Sequence, residues 1–301
     1  MRVNPSYVSN LVSSLDQTQV VQQQLSAELS SGVRVNSLSD DPIAAGQNVL
    51  LLNQMQQDDS FTQSASAVTG QLQVADSALG QVVTQLTQAI SLATSANNGT
   101  MNASDRQSIS NQLAGIRGEV LTLANSSYQG QYIFAGGQVS SAPFALNTST
   151  SPVTVSYNGD SAVNYLETPN GQKIQLNVPG DQIFSGAGSN SVLGALNNLI
   201  ADYASGGNAA QAVSDTQNLS TAMNYLSQQR VTVDNSITQV TSASSSVQSE
   251  QTQLTAAQTN LMQADVAHVA TQLSLTQTQQ TALESVIAQL ATGSLFDKLP
   301  A

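Results

Sequence analysis

The sequence contains no cysteine and no tryptophan, and only 4% of its 301 residues are aromatic. The absence of cysteine excludes disulfides and thiol chemistry. Seven basic residues stand against nineteen acidic ones, giving a net charge of −12. A chain with so few cations has no basic surface for nucleic acid or anionic lipid. We therefore expect neither nucleic-acid binding nor attachment to a charged membrane.

No apolar run is long enough to cross a bilayer, so we expect no membrane insertion. The N-terminal residues lack an apolar stretch followed by a small-residue cleavage site. We interpret the chain as soluble, and export by a leaderless route would leave the same pattern.

Candidate catalytic residues are scarce. His268 is the only histidine, and without a second histidine or a cysteine we favour a packed or surface role over a metal site or catalytic triad by about 20 to 1. The acidic pairs Asp40-Asp41 and Asp58-Asp59 are interpreted as a helix cap and a solvated helical face, by roughly ten to one over acid-base chemistry. We predict no enzyme activity, no cofactor and no metal.

The two ends of the chain carry matching helical patterns. Apolar residues recur at alternating steps of three and four, which predicts two helices that pack along each other. Each pattern holds a Thr and a Gln at its middle. If the helices are antiparallel and these two polar layers lie opposite each other, Leu15 is near Leu283 and Leu25 is near Leu273. The N-terminal seam is Val8, Leu11, Leu15, Thr18, Gln22, Leu25 and Leu29; the C-terminal seam is Met262, Val266, Val269, Leu273, Thr276, Gln280, Leu283, Ile287 and Leu290.

Capping residues predict where the first helices end and begin. The first helix should run from Pro5 to Ser30 and stop at Gly32, which suits a left-handed C-terminal cap. A second helix should begin at Pro42 with Asp41 as its N-cap and continue for more than 40 residues. A third should open at a capping box formed by Ser104 and Gln107.

The spacing of apolar residues shortens toward a period of two between Tyr128 and Phe184, a stretch that holds seven of the twelve aromatic residues. This predicts a small β-rich insert with its own aromatic core. Asn158-Gly159 and Asn170-Gly171 are typical of hairpin turns. Helical periodicity then returns, first at Val192 to Tyr203 and then in a long pattern that places Arg230 in phase with an apolar face.

We therefore predict a mainly α fold, a long antiparallel helical rod or coiled coil formed by the N- and C-terminal segments, with a small β-rich insert in the middle. Three domains follow. They are a terminal coiled-coil domain of residues 1–40 plus 256–301, a helical rod domain of 41–130 plus 189–255, and a β-rich insert of 131–188.

Several stretches resemble a known family. LSSGVRV at 29–35 followed by SDDPIAA at 39–45 resembles the N-terminal signature of the bacterial flagellin superfamily. LANSSYQGQYIFAG at 123–136, APF at 142–144 and YNGD at 157–160 are most similar to its hook-associated protein 3 (hook-filament junction) branch. ADVA at 264–267 and SLFDKL at 294–299 resemble the other end of that family.

The resemblance implies a secreted structural component of the flagellum that connects the hook-associated zone to the flagellin filament. It implies as partners other copies of the chain in a ring stack, the first hook-associated junction protein on one side and flagellin on the other. It further implies leaderless flagellar export and an export chaperone on the C-terminal helix. The alternative is a filament-forming flagellin, which the tyrosine-rich stretch after residue 128 disfavours.

The residues expected to act in this role form two groups. The assembly interface of the terminal coil comprises Leu11, Leu15, Leu25, Leu29, Val269, Leu273, Leu283, Ile287, Leu290, Leu295 and Phe296, and the linker and capping group comprises Arg34, Asp40, Asp41 and Pro42. Two partners remain open for Arg34: an acidic residue of its own chain or one of the next subunit. For Arg230 we expect a side chain that extends to solvent rather than a buried contact.

Overall fold

The computed structural model describes residues 5–97, 101–150, 153–186, 191–204 and 209–292. These residues are mainly helical, with short strands in the middle of the chain, which confirms the predicted fold class. The helices are α1 (Pro5–Ser31), α2 (Pro42–Ala96), α3 (Ala103–Ala124), α4 (Gly180–Phe184), α5 (Val192–Ala204), α6 (Ala209–Met262) and α7 (Val266–Thr292). The strands are β1 (Ser127–Tyr128), β2 (Gln131–Tyr132), β3 (Phe144–Asn147), β4 (Thr154–Tyr157), β5 (Tyr165–Glu167) and β6 (Lys173–Gln175).

The chain divides into two compact units. One consists of Met1–Gln56 with Glu250–Ala301, and the other of Gln57–Ser249. The predicted division into three domains stays a prediction.

The long helices of the Gln57–Ser249 unit bury the heptad positions that the sequence predicts. Leu219, Leu226, Val233 and Val240 of α6, each seven residues from the next, are 2% exposed or less. The predicted face of α2 is buried from Leu72 to Ala93 in the same way. Side chains of α2, α3, α5 and α6 share one hydrophobic cluster, so this unit is built on helix packing.

Serine and threonine are tolerated in these helices because their hydroxyls bond within the helix. Thr69, Thr216 and Ser236, for example, donate to the carbonyl four residues earlier. Such bonds satisfy the hydroxyl without a partner from a neighbouring helix. Narrow apolar faces are thus compatible with a composition rich in polar residues.

Helix ends agree with the capping prediction at two places and differ at two others. Gly32 adopts a left-handed φ of 69° after α1, and Asp41 Oδ1 accepts the Ala44 N–H at 3.0 Å to cap α2. The capping box predicted for α3 is wrong by two residues. The observed box begins at Asn102, which is the N-cap and bonds reciprocally with Asp105. Asn is as good an N-cap as Ser, so the earlier site competes successfully.

The predicted final helix from Met262 is also wrong at its start, because α6 ends there and α7 begins at Val266. Asp265 Oδ1 accepts the His268 N–H at 3.1 Å and so caps a new helix. The apolar period continues in phase across this break, which is why periodicity alone does not reveal it.

The strands form three separate antiparallel pairs, β1 with β2, β3 with β4 and β5 with β6. Gly171, at φ 85°, lies in the turn between β5 and β6, as predicted. The hairpin predicted at Asn158-Gly159 is wrong, since β4 pairs back with β3.

Asn158 and Gly159 instead lead into a turn organised by Asp160. One oxygen of this carboxylate accepts the N–H groups of Gly137 and Ala162, at 2.6 and 3.0 Å. These two bonds hold the pKa of Asp160 below its ordinary value. Tyr157 Oη donates to the backbone oxygens of Phe134 and Asp160, and burial together with the charge of Asp181 raises the pKa of Tyr157 to about 12.

The aromatic residues of this region do not form a core of their own, contrary to the prediction. Phe134 and Phe144 both pack edge-on against Phe184, with ring centroids 5.4 and 5.3 Å apart. All three belong to the same hydrophobic cluster as the helical side chains. The strands therefore contribute directly to the packing of the Gln57–Ser249 unit, because short strand pairs bury too little surface alone.

One further expectation about charged residues is wrong: Asp58, interpreted as part of a solvated face, is fully buried. Arg230 is 39% exposed, in keeping with a side chain that extends to solvent, and it also makes a bidentate ion pair with Asp76. Helical phase carries no information about which polar partner lies opposite a residue.

A carboxylate pair near the junction of α5 and α6 gives the first testable prediction. Burial, followed by the hydrogen bond and negative charge of Asp215, raises the pKa of Asp202 from 3.8 to about 6. The folded chain thus holds this proton more tightly than the unfolded chain. The contribution of the bound proton to the free energy of unfolding is fully present below about pH 4 and is lost as the pH rises through 6. We expect Asp202→Asn, which mimics the protonated group, to flatten the fall in unfolding free energy between pH 4 and 7 in urea titrations. An equal fall in both proteins would contradict this assignment.

Candidate functional site: the paired terminal helices

The terminal helices α1 and α7 pack against each other. Leu25 of α1 and Val269 of α7 are 9% and 5% exposed and form a small cluster with Ala264, against which Leu273 packs. This cluster lies where the predicted antiparallel alignment brings Leu25 and Leu273 together.

Burial along α7 follows the predicted seam. Between Val266 and Gln289, the side chains that are not exposed are Val269, Leu273, Thr276, Gln280, Leu283 and Ile287. Every one of them is a predicted seam residue, but Val266, which was also predicted for the seam, is 52% exposed. Their spacing of threes and fours places them on one face of the helix, turned toward a partner.

Burial along α1 follows its seam nearly as closely. The described side chains of α1 that are not exposed are Leu11, Leu15, Thr18, Gln22, Leu25 and Glu28. Leu29, also predicted for the interface, is 36% exposed and lies at the edge of the contact. The side chain of Leu290 is not among those described, and Leu295 and Phe296 lie outside the described residues.

Three of the four polar residues at the middle of the seam form hydrogen bonds within their own helix. Thr18 donates to the Ser14 carbonyl and Thr276 to the Gln272 carbonyl, both at 2.8 Å. Gln280 donates to Glu284 on its own helix at 2.9 Å. Two short apolar stretches separated by such a layer bury little surface, so we expect the pair to be a weak coil when alone.

Both helices also expose apolar side chains outside the seam. Val12, Val20 and Val21 on α1 and Leu275 and Val286 on α7 are each 38% to 63% exposed. Most of the strongly exposed aliphatic residues of the described chain lie in the Met1–Gln56 and Glu250–Ala301 unit. Clustered apolar exposure of this kind marks a surface used for association.

The predicted linker residues organise the connection between α1 and α2. Asp40 accepts the N–H groups of Asn36 and Ser37 at 3.0 and 2.8 Å, and the Ser37 bonds lower the pKa of Asp40 most. The Ala44 N–H, followed by Arg34, lowers the pKa of Asp41. Pro42 occupies the first position of α2, where its missing N–H costs no hydrogen bond.

Arg34 has an acidic partner within its own chain, and a contact with the next subunit stays a prediction. Its Nη1 lies 3.1 Å from Asp41 Oδ2 of the same chain.

His268 is exposed, and its Nε2 lies 3.2 Å from Gln272 Nε2 on the next turn. The described residues contain no cluster of three potential metal-ligating His, Cys, Asp or Glu side chains, and none of the described helices is long and apolar enough to cross a membrane.

Residues 5–138 match the family described as the bacterial flagellin N-terminal helical region. The chain is 33% identical over 187 residues to flagellar hook-associated protein 3 of Salmonella typhimurium, covering 62% of this chain and 57% of that protein. It is 32% identical over 166 residues to flagellar hook-associated protein 3 of Escherichia coli, covering 55% of this chain and 50% of that protein. The chain thus spans a little over half the length of the curated relatives it matches.

Solved structures show the same fold. A putative flagellar hook-associated protein from Vibrio parahaemolyticus superposes with a TM-score of 0.66 at 18% identity, covering 74% of this chain and all of that one. Flagellar hook-associated protein 3 from Legionella pneumophila superposes with a TM-score of 0.59 at 13% identity, covering 70% of this chain and 98% of that one. At these identities the likeness concerns the fold alone.

Proposed function

We propose that this chain belongs to the bacterial flagellin superfamily and is a structural component of the bacterial flagellum that joins the hook-associated zone to the flagellin filament. The observation that carries the proposal is the weak terminal pair, whose seam is thin and whose other faces expose aliphatic side chains. Such a pair becomes stable when neighbouring subunits cover its apolar surface.

The partners follow from this role. Copies of the chain would stack as a ring through their terminal helices, with the first hook-associated junction protein on one side and flagellin on the other. Export would use the leaderless flagellar route, with an export chaperone covering the C-terminal helix before assembly. Exposed Leu275 and Val286 on α7 supply the apolar surface that a chaperone would cover.

The alternative role, a filament-forming flagellin, has less support. Both curated relatives described above are named flagellar hook-associated protein 3. Electron microscopy of the purified protein distinguishes the two roles, because a flagellin would assemble into long filaments alone.

Deletion of the gene tests the junction role directly. We expect hooks without attached filaments and filament protein released into the medium, with attachment restored by the wild-type gene. Normal filaments on the deletion strain would contradict the proposal.

Limited proteolysis of the purified chain provides a further prediction. Because the terminal pair is weak without neighbours, proteases should remove residues before about Leu38 and after about Thr255 first, leaving the middle intact. Mass spectrometry of the fragments over time measures this. Equal resistance of the termini and the middle would show that the pair is stable alone.

A further inference from the structure

The two breaks that separate the terminal helices from the rest of their unit lie side by side. Val33, in the connection between α1 and α2, forms an antiparallel bridge with Gln263, in the connection between α6 and α7. The Arg34 N–H donates to the Met262 carbonyl at 2.7 Å, and the Ala264 N–H donates to the Gly32 carbonyl at 3.0 Å. The two helical connections therefore lie at the same level and are bonded to each other. We call this pair of connections the joint.

The side chain of Arg34 ties the joint to the two helices beyond it. Its Nη1 lies 3.1 Å from Asp41 Oδ2, while its Nη2 donates to the Leu261 carbonyl at 3.3 Å. The other oxygen of Asp41 caps the first turn of α2. Leu261 lies in the last turn of α6, where carbonyls lack helical partners and the helix dipole favours a cation.

One guanidinium thus contacts the start of α2 and the end of α6 from within the linker. The planar fork of arginine can donate in both directions at once, whereas the ammonium of lysine is a compact point charge on a flexible stem. Arg34 and Asp41 side chains are 46% and 30% exposed, so the pair contributes little to global stability. The ion pair instead slows the local opening of the joint.

We propose that Arg34 is a positioning residue that fixes the direction in which the terminal pair leaves α2 and α6. The incoming subunit then presents α1 and α7 already aligned for its neighbours, and less ordering entropy is lost on assembly. This inference rests on the proposed function for its assembly part, whereas the closure of the joint by Arg34 is independent of that function.

Hydrogen exchange of the purified full-length chain tests the closure. We expect Arg34→Met to speed exchange of the residue 34 and Ala264 amides by roughly five- to tenfold, with Arg34→Lys recovering only part of the protection. Asp41→Asn, which keeps an oxygen to cap α2, should speed exchange in the same direction. Asp16→Asn removes one charge from an exposed position of α1, outside the joint, and it should leave both amides unchanged. Unaltered exchange in Arg34→Met would overturn the proposal.

Filament attachment tests the positioning role in a deletion strain. The same variants should restore attachment in the order of their amide protection, while the urea midpoint of the Gln57–Ser249 unit stays that of the wild type. Faster exchange with fully normal attachment would overturn the positioning role. Failure of the wild-type gene to restore attachment would instead count against the proposed function, and the exchange result would remain valid.

Discussion

Replacing Leu283 with Asp is expected to abolish filament attachment while leaving the middle of the chain folded. Leu283 is half-buried on the seam face of α7, so the substitution places an unpaired carboxylate where an apolar side chain meets its partner. Burying such a charge costs several kcal/mol, which is more than a weak coil can lose. Electron microscopy of the complemented deletion strain should show hooks without filaments, with filament protein in the medium.

Gln279→Asp is the matched control for this experiment. Gln279 lies one turn before Leu283 on α7 but is exposed, so the same carboxylate stays in water. We expect near-normal attachment, and circular dichroism should show similar helix content for both variants. If both substitutions were harmless, the seam would not be part of the assembly interface.

Replacing Gly136 with Ala should produce the largest loss of stability in the Gln57–Ser249 unit. Gly136 has a φ of 70°, and a Cβ there would overlap both the backbone oxygen and a side-chain oxygen of Asp160. Strain in the left-handed region and overpacking against this turn together cost about 2–5 kcal/mol. Urea unfolding followed by circular dichroism measures the change.

Gly171→Ala separates the two causes, because Gly171 also has a positive φ, 85°, but a Cβ there meets nothing within 4 Å. It should cost only the backbone strain, about 1 kcal/mol. Gly118→Ala, in an open position on α3, should stabilise by up to about 1 kcal/mol through helix propensity. A Gly136→Ala variant as stable as Gly171→Ala would show that the turn around Asp160 adapts freely.

Helical periodicity predicts most of this fold because each long helix buries a single face. From Val269 to Ile287 the predicted seam of α7 coincides with the side chains that are not exposed, and the heptad of α6 marks its buried positions from Leu219 to Val247. The caps at Gly32 and Asp41 are likewise local, since a positive φ and a side-chain oxygen beside free N–H groups depend only on neighbouring residues.

Features that depend on distant partners could not be predicted in the same way. Nothing near Arg230 in sequence indicates Asp76 as its partner. Asn158-Gly159 is a good turn pair, but β4, the strand before it, pairs with β3. The break between α6 and α7 did have a local signal in Asp265, but the unbroken apolar period masked it. Arg34 was recognised as a candidate, although its contact with Leu261 spans 227 residues.

The terminal helices are expected to act in assembly as an antiparallel pair with a defined alignment. The most direct measurement is rescue of Leu283→Asp by a lysine on α1, scored as the fraction of hooks with attached filaments. Leu15→Lys, predicted to lie opposite Leu283, should partly restore attachment by pairing the buried carboxylate. Leu25→Lys should not, because Leu25 packs at the other end of the seam with Ala264 and Val269. Equal rescue by both lysines would contradict the antiparallel alignment on which the account depends.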